Sequence, residues 1–168
     1  MSAAVIARGR ALLLAAGLLL SAGAFAADTA GLFSSTMNAT DGQPVALEKF
    51  RGKPLIVNFW ARWCPPCRKE IPELAKLQTE FAGRGLTVLG IAIEEDGAAV
   101  QEFANAYDVN YPLVVDKKKG IWLMQNLGNS QAGLPFTLLI DRRGNIVLRK
   151  MGLFTRADFD AAAESLLK

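Results

Sequence analysis

Short, uninterrupted apolar runs along this chain alternate with stretches in which apolar residues recur every three or four positions. Apolar runs at residues Leu55–Trp60, 86–93 and Leu113–Val115 are typical of buried strands. Between them, residues Pro65–Phe81 and 98–107 carry apolar residues at helical spacing, which predicts two helices with one buried face. Strands that alternate with helices predict an α/β fold with a central mixed sheet flanked by helices.

Turn signals predict further elements at both ends of this pattern. Asp41-Gly42 separates short extended pieces within residues 27–53, which indicates an N-terminal β-hairpin. Residues 137–140 and 146–150 are apolar runs joined by a polar, glycine-containing turn, which predicts a second hairpin. Thr155 is a suitable N-cap for a last helix that ends near the C-terminus.

The motif Trp63-Cys64-Pro65-Pro66-Cys67 contains both cysteines of the chain and directly follows the first apolar run. Its position places both sulfur atoms at a junction between a strand and a helix. The unpaired N–H groups and the positive dipole end of a helix stabilise a thiolate there. Cys64 is therefore predicted to be a better nucleophile than a free thiol with a pKa of about 8.5. The pattern indicates a pair that exchanges between dithiol and disulfide.

Other interpretations of the cysteine pair are weaker. A structural disulfide across two residues closes almost no loop, and loop closure is the source of its stabilisation. A structural zinc site needs four Cys or His ligands, whereas the chain has two Cys and no His. The lack of His also excludes a Cys/His nucleophile pair. We expect no metal and no bound cofactor, with the Cys64–Cys67 disulfide itself as the redox group.

The N-terminus has the features of a secretory signal peptide. Arg8 and Arg10 precede the apolar stretch 11–20, and Ala24-Phe25-Ala26 fits a small-residue cleavage site. Cleavage after Ala26 would leave residues 27–168 as one domain in the periplasm; the alternative is an uncleaved membrane anchor. Loss of the two arginines lowers the net charge from +3 to near +1, which argues against a nucleic-acid partner. An exported thiol pair meets an oxidising compartment and therefore needs a redox partner.

The stretch 58–67 resembles the thioredoxin superfamily, and more closely its exported TlpA/ResA-like branch. The resemblance extends over residues 41–168 and includes Gly52-Lys53-Pro54, Glu70-Ile71-Pro72 and Gly133-Leu134-Pro135. It implies a thioredoxin fold with an N-terminal hairpin extension, and thiol:disulfide exchange with protein substrates. It also implies a cis peptide bond before Pro135 that faces the disulfide.

A cis bond at that position would turn the backbone of Leu134 toward the cysteines, where it could pair with an extended peptide. Trp63 is expected to shield one side of the site. Leu134 and the residue after the proline, Phe136, depart from the commoner family pattern, which leaves the substrate open. The residues expected to bind substrate are Trp63, Pro65, Pro66, Leu134 and Pro135.

Asn58 occupies the position at which cytosolic thioredoxins carry a buried acid, so another acid must move the proton. Glu70 follows Cys67 by three residues and can share its helix face. A glutamate there is associated with cysteine reactivity in the ResA-like branch, and the alternative is a solvated residue that complements the helix N-terminus. Glu95 also matches an acidic position near the site in that branch.

The expected mechanism gives each group one role. An exposed Cys64 attacks the substrate disulfide, a more buried Cys67 resolves the mixed disulfide, and Glu70 helps to deprotonate Cys67.

The expected function is an exported, monomeric thiol:disulfide oxidoreductase that reduces protein disulfides, as in cytochrome c maturation, and is recharged by a membrane electron donor. The alternatives are a periplasmic oxidant or isomerase and a non-catalytic chaperone or metallochaperone on the same fold. A peroxidase is disfavoured because the chain lacks a threonine-containing peroxidatic cysteine motif.

Overall fold

A mixed β-sheet forms the centre of the computed structural model, which describes residues 29–168. Its strands are β1 (Thr36–Ala39), β2 (Pro44–Ala46), β3 (Leu55–Trp60), β4 (Thr87–Ala92), β5 (Leu113–Val115), β6 (Phe136–Ile140) and β7 (Ile146–Met151). The seven strands lie in the order β2-β1-β5-β4-β3-β6-β7. The predicted signal segment 1–26 lies outside the described residues, so its cleavage and the domain boundary after it stay predictions.

Helices cover both faces of this sheet. They are α1 (Ala30–Phe33), α2 (Pro65–Phe81), α3 (Gly97–Ala106), α4 (Lys117–Asn126) and α5 (Arg156–Leu167), with short 3-10 helices at Leu47–Phe50 and Ala82–Arg84. Strand β3, helix α2 and strand β5 have the predicted bounds. Within residues 29–168, none of these helices has the length and apolar character needed to cross a bilayer.

Strand β3 is the central strand and is buried along its whole length. It pairs in parallel with β4 and antiparallel with β6. Because side chains alternate across a strand, Leu55, Val57 and Phe59 contribute to the core on one face of the sheet. Ile56 and Trp60 pack on the opposite face, where α2 lies. Asn58 also points to that face, which brings a buried amide next to α2.

The N-terminal hairpin is part of the main sheet. Strand β1 pairs antiparallel with β2, as predicted, and on its other side pairs antiparallel with β5 through Asn38 and Val115. The hairpin therefore extends the central sheet to seven strands instead of forming a separate unit. The predicted α/β class and thioredoxin fold with a hairpin extension are confirmed.

Helix α5 begins with a capping box. Thr155 Oγ1 accepts a hydrogen bond from Asp158 N at 3.3 Å, and the Asp158 carboxylate accepts one from Thr155 N at 2.9 Å. These bonds satisfy main-chain donors that a helix start otherwise leaves unpaired. Thr155 is therefore the N-cap, as its residue type predicted.

We expect Thr155→Ala to lower the free energy of unfolding by about 1 kcal/mol, because the variant loses this cap. Thr155→Ser keeps the hydroxyl and should retain the stability of the parent. Urea unfolding with the disulfide intact measures both variants. Equal midpoints for the alanine and serine variants would show that the cap contributes nothing.

Candidate active site

The two cysteines lie at the point where β3 leads into α2. Cys64 is the N-cap of α2 and Cys67 lies in its first turn; their sulfur atoms form a disulfide, with the Cα atoms 5.3 Å apart. Cys67 is fully buried and Cys64 is only 4% exposed. The prediction of an exposed Cys64 is therefore wrong for the oxidised protein. Its sulfur is bonded to a buried partner and packs in the same apolar cluster as Trp60 and Ile71.

The sulfur of Cys64 receives one hydrogen bond from the main chain. Cys67 N donates to Cys64 Sγ at 3.3 Å. Pro65 and Pro66 have no N–H group to offer. Arg68 N donates to the carbonyl oxygen of Cys64, at 3.3 Å, and is not directed at the sulfur. The two prolines thus leave this helix start with a single donor for the sulfur.

The loop before β6 lies against the cysteine pair. The peptide bond between Leu134 and Pro135 is cis, as the resemblance implied. Pro135 is buried, and the half-buried Leu134 packs against the cluster that contains both cysteines. The side-chain amide of Asn129 donates a hydrogen bond to the carbonyl oxygen of Gly133 and accepts one from Gly133 N, so it holds the loop in place. Asn129 was not identified from the sequence.

The remaining predicted substrate-binding residues lie at the surface around the disulfide. Trp63 is 68% exposed, so its indole projects into solvent beside Cys64. Pro65 is exposed and Pro66 is half-buried. The structure therefore offers apolar surface on the motif itself and, through Leu134, on the loop that packs against it.

Glu70 is buried on α2, three residues after Cys67. Its side chain is 1% exposed, which excludes the alternative of a solvated glutamate. Oε1 accepts a hydrogen bond from Asn58 Nδ2 at 2.6 Å, and Oε2 accepts one from Phe154 N at 2.7 Å. Burial raises the pKa of Glu70 to about 7, while these two hydrogen bonds act in the opposite direction. The group can therefore exchange a proton near neutral pH.

Asn58 connects Glu70 to the sheet. Its Nδ2 also donates to Thr137 Oγ1 at 2.9 Å, and the two residues are paired between β3 and β6. Sequence reasoning treated Asn58 only as a missing acid and did not identify Thr137 or Phe154. An amide within a buried apolar strand was a usable signal, because a buried polar group needs a partner. The main-chain donor Phe154 N gave no sequence signal.

Further polar groups lie on the same face of the sheet. Burial, together with the negative charge of Glu70, raises the pKa of the Tyr111 hydroxyl above its ordinary value. Gly90 pairs with Asn58 on the neighbouring strand. A side chain at this position would crowd the two aromatic residues, because an added Cβ would lie 3.2 Å from the Tyr111 ring and 3.1 Å from the Trp60 indole. The environment of Glu70 thus contains several groups able to form hydrogen bonds.

A second buried acid, Glu94, lies beside the active-site loop and directly precedes Glu95, the acid that the resemblance indicated near the site. Glu94 is 7% exposed and accepts hydrogen bonds from Arg62 N at 2.6 Å and Arg62 Nε at 2.8 Å. Glu95 is exposed and, with Trp63, lines an adjacent groove of about 390 Å³. The strand pairing is the sequence signal for this pair. Strands β3 and β4 are parallel and end at paired residues, and Arg62 and Glu94 each follow the end of their strand by two residues, which brings them side by side.

This arrangement can perform dithiol/disulfide exchange. It combines a cysteine pair at a helix start with an acid that titrates near neutral pH. Among residues 29–168, no three His, Cys, Asp or Glu side chains are grouped so that they could hold a metal ion.

Comparisons with known proteins agree with this chemistry. The sequence pattern of the AhpC/TSA family matches residues 27–149. The thiol-disulfide oxidoreductase ResA of Geobacillus kaustophilus is 30% identical over 125 residues, which are 74% of this chain and 70% of that protein. The thioredoxin-like protein YneN of Bacillus subtilis is 33% identical over 128 residues, which are 74% of this chain and 72% of that protein.

A solved structure extends the similarity to the fold. The thiol:disulfide interchange protein of the thioredoxin family from Chlorobium tepidum superposes with a TM-score of 0.70 at 32% identity, over 80% of this chain and 93% of that chain. The chain therefore belongs to the AhpC/TSA family and is a thioredoxin-fold thiol-disulfide oxidoreductase similar to ResA.

Proposed function

We propose that this protein is an exported reductant of protein disulfides, with the Cys64–Cys67 pair as its redox group and no other cofactor. The observation that carries the proposal is the single main-chain hydrogen bond to Cys64 Sγ. A thiolate with few donors is poorly stabilised, and a less stable reduced form makes the pair a better reductant. An oxidant needs the opposite arrangement, in which the reduced form is strongly stabilised.

In the proposed reaction, the Cys64 thiolate attacks one sulfur of a substrate disulfide. A bond forms between Cys64 and that sulfur, and the other substrate sulfur leaves as a thiolate. Cys67 then attacks Cys64 Sγ, which forms the internal disulfide and releases the second substrate sulfur. Two electrons pass from the protein to the substrate. The full burial of Cys67 favours it as the resolving cysteine, because an incoming protein cannot reach it.

Glu70 is the proposed acid and base of this exchange. It lies three residues after Cys67 on α2, and residues at that spacing share a helix face. Its pKa of about 7 suits proton transfer near neutral pH. The carboxylate takes the proton of the Cys67 thiol and so generates the thiolate that resolves the mixed disulfide.

Substrates bind through the apolar surface beside the disulfide and through the backbone of Leu134. Trp63, Pro65 and Pro66 supply the surface on the motif. In this proposal an extended substrate segment pairs as an added strand with the main-chain groups of Leu134, which directly precede Pro135.

The physiological setting follows from the N-terminal sequence and the redox chemistry. The signal-like segment 1–26 supports export to the periplasm, with the domain either released or held by an uncleaved anchor. In an oxidising compartment the pair needs a supply of electrons after each turnover, for which we propose a membrane donor. Apocytochrome c is the proposed substrate class, and the protein acts as a monomer.

The roles of the cysteines predict different behaviour for two serine variants. Cys64→Ser should abolish disulfide reduction, because the attacking sulfur is lost. Cys67→Ser should accumulate a mixed disulfide between Cys64 and the substrate, because nothing resolves it. Non-reducing electrophoresis after incubation with a disulfide-containing protein detects the adduct. Equal trapping by both variants would contradict the assigned roles.

The role of Glu70 predicts a pH dependence that Glu70→Gln removes. The pKa of the Glu70 carboxyl rises from its ordinary 4.5 to about 7 on folding. Between these two pH values the carboxyl is mainly protonated in the folded state and mainly ionised in the unfolded state. The protonated carboxyl therefore contributes stability that is fully present below pH 4.5, and this contribution, about 3 kcal/mol, is lost as the pH rises through about 7. Relative to the oxidised parent, oxidised Glu70→Gln should become more stable as the pH rises from 5 to 8.

The same variant should exchange thiols more slowly near neutral pH while remaining folded. Glu73→Gln is the matched control, since Glu73 lies on the same helix and pairs with Lys76. Unfolding free energies and exchange rates measured across pH give both readouts. Parallel stability curves together with superimposed rate profiles for Glu70→Gln and the parent would show that Glu70 has no part in the chemistry.

The redox direction predicts a reduction potential closer to about −270 mV than to about −120 mV, and a Cys64 pKa nearer 7 than 3.5. Equilibration with glutathione and titration of thiolate absorbance measure the two quantities. Pro66→Ala should lower the Cys64 pKa and raise the potential, because it restores an N–H at the second helical position, which can reach an N-cap side chain. Pro65→Ala is the matched control, because the N–H that it restores lies at the first helical position, and an N-cap side chain bonds to the second or third position instead. A parent pKa below about 5 with a potential above about −180 mV would make the protein an oxidant.

A further inference from the structure

Arg62 and Glu94 form an ion pair directly before the active-site motif. The carboxylate of Glu94 accepts from Arg62 N at 2.6 Å and from Arg62 Nε at 2.8 Å, and Arg62 Nη2 lies 2.7 Å from Oε2. Glu94 is 7% exposed, whereas the Arg62 side chain is 37% exposed. One carboxylate thus holds both the main chain and the guanidinium group of Arg62.

Arg62, which carries the cation of this pair, is a near neighbour of Cys64 in the chain. Arg62 precedes Cys64 by two residues, so their Cα atoms are at most about 7 Å apart. The two partners act on a Cys64 thiolate in opposite directions, because a cation stabilises an anion and a nearby carboxylate destabilises it.

We propose that Glu94 is a positioning residue that neutralises Arg62 and thereby keeps the Cys64 thiolate without a cationic partner. In this way Glu94 holds the disulfide at the reducing end of its range. The inference rests on the proposed reductant function and assigns part of the redox potential to a residue outside the motif.

Other charged groups surround the pair but act less directly. Asp96 and Glu102 help to keep the guanidinium ionised, after the hydrogen bond to Glu94, which is the main cause of the raised pKa of Arg62. Near the pair and the first turn of α2 lie Glu95, Lys117, Arg68 and Lys69. All four are exposed, so water and salt weaken their effect on Cys64. Glu70 lies three residues after Cys67 on α2 and is present in the parent and in every variant compared.

The test is a cycle of three variants, Glu94→Gln, Arg62→Gln and the double variant. Glu94→Gln leaves the guanidinium unopposed, so the Cys64 pKa should fall by about half a unit. At pH 8 the equilibrium with glutathione should shift about threefold toward reduced protein. Arg62→Gln leaves the carboxylate unopposed and should shift both quantities the opposite way. The double variant should return close to the parent.

The directions of the shifts in the two single variants distinguish an effect of charge on the Cys64 thiolate from a purely structural effect of the pair. If the pair only braced the loop, both single variants would shift the potential in the same direction and the double variant would not recover. That result, or unchanged potentials in both single variants, would overturn the inference. Glu95→Gln is the matched control for removal of an exposed charge and should shift the equilibrium less than Glu94→Gln.

A failure of this inference can be distinguished from a failure of the proposed reductant function. A parent with an oxidising potential would contradict the reductant proposal, but the opposite shifts of the two single variants would still be measured. If Glu94→Gln did not fold, Arg62→Gln would decide alone, because its half-exposed side chain can be replaced without burying a new polar group. A lower Cys64 pKa in Arg62→Gln would then overturn the inference.

Discussion

The burial of one carboxylate is the constraint on which the active site depends. Glu70 belongs to the helix that begins at the disulfide, and its two oxygens bind Asn58 on β3 and the main-chain N–H of Phe154, between β7 and α5. A buried carboxyl without partners is costly, so these elements must keep their relative positions to satisfy it. The pKa of about 7 shows that the two hydrogen bonds offset only part of that cost. The same contacts therefore fix the first turn of α2 and prepare a group for proton transfer.

The surroundings of Cys64 combine features that stabilise a thiolate with features that remove this stabilisation. The helix start and Arg62 favour the anion. Against them, Pro65 and Pro66 remove main-chain donors, and Glu94 engages the guanidinium of Arg62. With these two features, the start of α2 stabilises a thiolate at Cys64 less than a helix start alone would. This balance is the physical basis of the proposal that the protein is a reductant.

Periodicity along the chain was sufficient to predict β3, α2 and β5 with their bounds, because each is a run with one clear pattern. The cysteine pair and its place at a helix start were also evident from the sequence. The cis bond at Pro135 came only from the resemblance, since residue type alone favours trans. The burial of Cys64 depends on how the chain packs after β3 ends, which no local pattern determines. The polar residue in β3 is a signal that a partner is needed, which the sequence analysis did not use, and only the packed structure identifies Glu70 and Thr137 as its partners.

In the proposed mechanism, rate and direction depend on different groups. A carboxyl with a pKa near 7 is partly protonated at neutral pH, so it can take the proton of Cys67 during reduction of a substrate and return it when the disulfide is recharged. The same acid thus serves both directions, and its main effect is on the rate. The direction of electron flow follows instead from the stability of the Cys64 thiolate, which Pro65, Pro66 and the Arg62–Glu94 pair control. In this proposal the proton-transfer group, three residues after Cys67 on α2, stays the same while residues next to Cys64 adjust the potential.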